Sequence, residues 1–136
     1  MFETFEHTAD LGLRIRATTQ EQLLEDAGRG LFSMLVTNLE DVRCLQERTY
    51  RVEGVATDYL LFDWLNELLF TFESERLLLS EFHVVLDAEG LWATANGEPM
   101  DLARHRMEHE VKAITYHGLR VEKDAVGWFA ELIVDI

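Results

Sequence analysis

Residues 57–75, TDYLLFDWLNELLFTFESE, are apolar almost all the way round a helical projection. That distribution predicts a buried helix, capped by Thr57. The segments on either side change period. RTYRVEG (48–54) reads as a strand, while LLLSEFHVVLD (77–87) and LWATAN (91–96) flank the turn Ala88-Glu89-Gly90 and read as a hairpin. Further out, Thr19 with Gln22 fits a capping box. Leu23, Leu24, Ala27, Leu31, Phe32 and Leu35 then recur at helical spacing, predicting an earlier helix from about Thr19 to Val36. GEPMDLARHRMEHE (97–110) holds the only proline and no clean period, so it reads as a loop; VKAITYHGLRVEK (111–123) and GWFAELIVDI (127–136) close the chain as strands. Strand–helix–strand–strand modules predict an α+β fold, a mainly antiparallel sheet packed with two helices in one domain over 1–136.

The opening element carries a conflict. In FEHTADLGLRI (5–15) the odd positions Phe5, His7, Ala9, Leu11, Leu13 and Ile15 form a mostly apolar line, and the even positions a polar one. A period of two predicts a strand with one buried face. Asp10 and Gly12 are poor strand residues, so the Asp-Leu-Gly step reads as a turn or bulge within it. Either the chain turns there, or Asp10 is presented to something.

Composition narrows the classes of function. A chain of 136 residues, 48% hydrophobic and 28% charged, is globular and long enough to bury a core. The lone Cys44 leaves no internal disulfide framework and cannot by itself form a cysteine zinc site. No basic-then-apolar leader opens the chain and charges interrupt every apolar run, so a soluble, cytoplasmic protein without a membrane partner is expected. Asp and Glu number 26 against 12 Lys and Arg, a net charge of -14. Such a field repels phosphate backbones, so direct nucleic-acid binding is not expected; it suits metal cations or a basic protein partner.

No G-x-S-x-G, P-loop, H-E-x-x-H or C-x-x-C occurs. What remains is acids, five histidines and one oddly placed lysine. The strand WFAELIVDI runs to the last residue, which sets Asp135 beside the Ile136 carboxylate. A divalent cation would relieve that repulsion, and oxygen-only ligands suit calcium, magnesium or manganese; a solvated chain end is the plain alternative. Lys112, in an alternating strand, shares a face with Ile114 and Tyr116. It is placed to pair with Glu110 or a carboxylate cluster, to contact a phosphate, or simply to snorkel. Asp63, Asn66, Glu67 and Thr71 form a narrow polar stripe on the second helix, the usual mark of a solvated face. His7 and His117 are candidate ligands or acid–base groups, or hydrogen-bonded structural histidines. His83, His105 and His109 carry no signal.

Five blocks in order, FEHTADLGLRI, LLFDWLNELLFTF, GEPMDLARH, EVKAITYHGLRVE and the terminal IVDI, resemble archease over essentially the whole chain. The resemblance implies a compact α+β domain of strand–helix–strand–strand modules. It implies a protein cofactor of the RtcB-type tRNA-splicing and RNA-repair ligase, without chemistry of its own. That ligase attaches guanylate from GTP to its own histidine using manganese; archease promotes the step and allows multiple turnover. Carried residue by residue, the resemblance puts a metal site on Asp10, Asp135 and Ile136, a functional lysine at Lys112 and a functional acid at Asp63. Two other classes compete: a metal-dependent phosphohydrolase using Asp10 and Asp135 with His7 or His117, and a general chaperone.

Overall fold

In the computed structural model, which describes residues 1–136, the chain opens with a hairpin and not with one interrupted strand. β1 (Phe2–His7) and β2 (Asp10–Ala17) pair antiparallel from Phe2↔Ile15 to His7↔Asp10. The two residues left over, Thr8 and Ala9, turn with φ of 34° and 69°. Positive φ at both central positions is what a two-residue type I′ hairpin requires, and here it is met without glycine. The turn therefore precedes Asp-Leu-Gly, and it resets the alternation. Phe5 pairs with Gly12, so it shares the face of Gly12 and Arg14, opposite Leu13 and Ile15. Gly12 lies in unbroken register, and a Cβ there would come within 2.0 Å of the Phe5 ring. The ring covers the glycine, and the Arg14 guanidinium caps the ring at 4.0 Å.

The remaining elements are α1 (Gln20–Leu35), β3 (Gln46–Glu53), α2 (Thr57–Glu75), β4 (Leu77–Leu86), β5 (Gly90–Pro99), β6 (Ala113–Lys123) and β7 (Trp128–Asp135). They form two antiparallel sheets, β1-β2-β7-β6 and β3-β5-β4, where a single sheet is the simplest reading of the sequence. The strand–helix–strand–strand unit occurs twice. β3-α2-β4-β5 is continuous; β2-α1 is completed only by β6-β7, so the second unit is inserted into the first. Each unit orders its strands first–third–second, and each helix touches strands of both sheets. One cluster of 33 buried residues runs through both. At its centre Trp64 is fully buried, donates Nε1–H to the Leu24 carbonyl at 2.9 Å and meets Tyr50 and Phe82 edge-on. Truncating it to alanine would cost about 3–5 kcal/mol.

Both helix starts differ in detail from expectation. Thr19 caps α1 by accepting from the Gln22 amide at 3.1 Å, but the Gln22 side chain reaches Asp26, so only half of the capping box forms. Thr57 is the first residue of α2; Ala56 is the cap, and the Thr57 hydroxyl instead accepts from Gln20 Nε2 at 2.6 Å. Nor is α2 buried all round. Tyr59, Asp63, Glu67, Phe70 and Glu73 are exposed, because the sheets cover only one side of it. Thr71 leaves the polar stripe for the core, donating to the Glu67 carbonyl and sharing a 2.7 Å hydrogen bond with Tyr50.

The proline segment is partly strand, since β5 continues to Pro99 opposite Leu77. The loop from Met100 to Lys112 is pinned by buried polar groups. Asn38 donates to the Arg104 carbonyl and accepts from the Arg106 amide. Glu98 accepts from Arg104, the Arg43 amide and His105 Nε2, while His105 Nδ1 accepts from the Asp101 amide. Burial pushes the Glu98 carboxyl up, but those three donors outweigh it and hold the group at about 2.

Candidate functional site at the edge of the four-stranded sheet

Sheet register assembles the candidate residues. β2 and β7 are antiparallel neighbours with Leu11 opposite Val134, and one further step in that register sets Asp10 against Asp135. On the other side of β7, Ala113 pairs with Asp135, and the Lys112 amide donates to the Asp135 carbonyl at 2.8 Å. The first residue of β2, the last of β7 and the residue before β6 thus meet at one sheet edge, with His7 across the hairpin from Asp10. Leu13, Ile15, Leu132 and Val134 are the buried positions, so alternation puts Asp10 and Asp135 on the face away from the helices. Lys112 falls on the helix side of the same edge.

That side is open. Lys112 is exposed, although Ile114 on the same face is buried, and Tyr116 packs against Tyr59 and Phe62 of α2. Between Lys112 and α2 lies a cleft of about 540 Å³, lined by Asn66, Glu67, Leu69, Phe70, Glu73, Lys112 and Ala113. No ion pair joins Lys112 to Glu110. Indeed none of the molecule's ion pairs or side-chain hydrogen bonds involves Asp10, Asp135, the Ile136 carboxylate or the Lys112 ammonium. Glu131 in the middle of β7 is a contrast. Burial raises its carboxyl, but hydrogen bonds from Arg14 at 2.7 Å and Arg120 at 3.3 Å outweigh that and lower it. Arginines pair with the acid at the centre of the sheet, whereas the edge acids have no ion-pair partner.

Not every candidate joins this edge. His117 is exposed in the stretch of β6 where pairing to β7 lapses between Thr115 and Arg120. Five residues beyond Lys112, it stands about 16 Å along the strand at 3.3 Å per residue. Asp63 is exposed on α2 outside the cleft. Sequence reasoning missed two features. Phe70 read as a core residue, yet it is 66% exposed beside Lys112. His105 read as uninformative, yet it anchors the loop that delivers Lys112; no spacing marks it, because its partner Glu98 is seven residues away across a turn.

A cation held at this edge would meet the oxygens of Asp10, Asp135 and the Ile136 carboxylate. Nowhere are three His, Cys, Asp or Glu side chains grouped as metal ligands, so a cation at this edge needs the main-chain carboxylate, or ligands from solvent or a partner. All of these donors are oxygen, which fits calcium, magnesium or manganese.

Comparison with known proteins is consistent along the whole chain. A family model described as the archease protein family matches residues 2–136. The chain is similar to Protein archease of Methanopyrus kandleri, 42% identical over 139 residues and covering 99% of each chain. It is 37% identical to Protein archease of Pyrococcus abyssi, covering 99% of this chain and 98% of that one. Among solved structures, protein 1598 of Methanobacterium thermoautotrophicum superposes with a TM-score of 0.88 at 32% identity, covering 99% of this chain and 98% of that one. A Thermotoga maritima structure described as an archease and possible chaperone shares the fold, with a TM-score of 0.67 at 22% identity, covering 98% and 96%.

Proposed function

This chain belongs to the archease family, and from that premise we propose that it is a non-catalytic activator of an RtcB-type RNA ligase. In this reading it promotes guanylylation of the ligase with GTP and its multiple turnover in cytoplasmic tRNA splicing or RNA repair. The observation that carries the reading is the edge itself: Asp10, Asp135, the Ile136 carboxylate and Lys112 come together with no ion-pair partners of their own. Charges that stabilise nothing within the chain are available to something outside it. Asp10, Asp135 and Ile136 would hold a divalent cation, calcium, manganese or magnesium, which supplies positive charge for phosphate oxygens. Lys112 offers a point charge to phosphate on the helix side of the same edge, and His7 and Asp63 flank the surface that meets the ligase. The RNA stays with the ligase, since this chain's net charge of -14 repels it.

The test is multiple-turnover RNA ligation by the cognate ligase with GTP and manganese, with and without this protein. Stimulation is expected, and Asp10→Ala and Asp135→Ala should each abolish it while the far-ultraviolet circular dichroism spectrum stays unchanged. A ligase indifferent to the wild-type protein would refute the activator reading. GTP hydrolysis by this protein alone would support the phosphohydrolase instead.

A further inference from the structure

The exposed side of α2 has a composition that the core does not explain. Tyr59 is 58% exposed and Phe70 66%, whereas Leu60, Leu61, Trp64, Leu65 and Leu68 of the same helix are essentially inaccessible. Tyr116 stacks on Tyr59 at 5.2 Å and widens the aromatic surface. Between and beyond the aromatics stand Asp63, Glu67 and Glu73, none in an ion pair. From Tyr59 to Glu73 the stripe is about 21 Å long at 1.5 Å per residue. At its C-terminal half lies the 540 Å³ cleft, whose walls are Leu69, Phe70 and Ala113 and whose polar groups are Asn66, Glu67, Glu73 and Lys112. Aromatic anchors ringed by charge are the composition of a protein interface.

We infer that this face of α2 is the docking surface for a basic segment of the partner protein, with one arginine or lysine of that segment entering the cleft. The inference rests on the activator reading and extends it from the sheet edge to the helix. Three acids against one lysine make the stripe net negative, which complements a basic surface. The same charge repels RNA, and it repels a second copy, because a two-fold contact would bring like acids together. A long basic side chain fits the cleft in both of its parts. Its alkyl stem lies along Leu69 and Phe70, and its head meets Glu67 and Glu73.

Titrating this protein into multiple-turnover ligation separates docking from activation. Glu67→Lys with Glu73→Lys, and separately Phe70→Ala, should each raise the half-maximal concentration about tenfold, with maximal stimulation retained at saturation. Lys112→Ala should instead lower the maximum. Added salt should weaken wild-type docking more than that of the Glu67→Gln, Glu73→Gln variant. All these positions are exposed, and matching melting temperatures would confirm intact folding. If wild type stimulates the ligase but the α2 variants keep the wild-type half-maximal concentration, the docking surface is wrong and the activator reading survives. If wild type does not stimulate at all, the activator reading itself fails.

Discussion

At the scale of single residues, the most exposed consequence concerns Lys112. It packs against nothing that needs its charge, so Lys112→Ala should leave the melting temperature unchanged and sharply reduce ligase stimulation. Lys112→Arg should restore it only in part, because a planar fork is not a point charge on a slim stem. Full activity of the alanine variant would make the lysine ornamental. Ala9 permits a second test, of stability. With φ at 69° it occupies the left-handed region, which costs an L-residue about 1–2 kcal/mol. Allowing for the greater freedom of unfolded glycine, Ala9→Gly should stabilise the protein by about 0.5–1 kcal/mol in urea unfolding; a loss would refute the strain. That turn was illegible in the sequence because neither Thr nor Ala signals positive φ, and the eye goes to Asp10 and Gly12. The acids at the edge were legible, since a strand ending on two carboxylates is visible in a list of letters. The openness of Lys112 was not, because alternation gives its face but not the point where α2 stops covering that face.

At the scale of elements, periodicity located both helices and most strands, and it failed where polar groups are buried. Asn38, Glu98 and His105 are all less than a tenth exposed, and they hold the Met100–Lys112 loop through hydrogen bonds that no local pattern encodes. A pH dependence follows. The folded Glu98 carboxyl titrates at about 2, below its ordinary value of 4.5. A depressed folded value means stability that is fully present above about pH 4.5 and lost as pH falls toward 2. Thermal melts between pH 5 and pH 2.5 should therefore show a steep loss for wild type. Glu98→Gln should start less stable at pH 7 and lose less over the same range. Parallel curves for the two proteins would show that Glu98 does not set the acid limb.

At the scale of the molecule, α+β architecture and the two modules could be read from the order of periods, but not the insertion of one module into the other, which is a matter of pairing across more than 100 residues. Insertion predicts cooperativity. Trp64 reports the core, Trp92 the three-stranded sheet and Trp128 the four-stranded sheet, so fluorescence and circular dichroism should give coincident thermal transitions. Two separated transitions would mean that the modules unfold independently. The chain ends should also behave differently. A short Gly-Ser extension after Ile136 replaces a carboxylate by an amide at the site edge; it should weaken ligase activation and manganese binding while leaving the melting temperature in place. An extension before Met1 replaces the amino group that pairs with the largely buried Asp26. It should lower the melting temperature and spare activation. Equal effects of both extensions on turnover would reduce the C-terminus to a strand end.

Insertion also sets a timetable for synthesis. β2 emerges from the ribosome early, but its partner β7 is made last, on the order of ten seconds later at ordinary elongation rates. Until then the Leu11–Ala17 edge that β7 will cover has no strand beside it, and Asp10 has no Asp135 opposite. The inserted module shares its core with the four-stranded sheet, so it too stays incomplete until β7 arrives. The pairing that sets Asp10 against Asp135 therefore becomes possible only once β7 has been made.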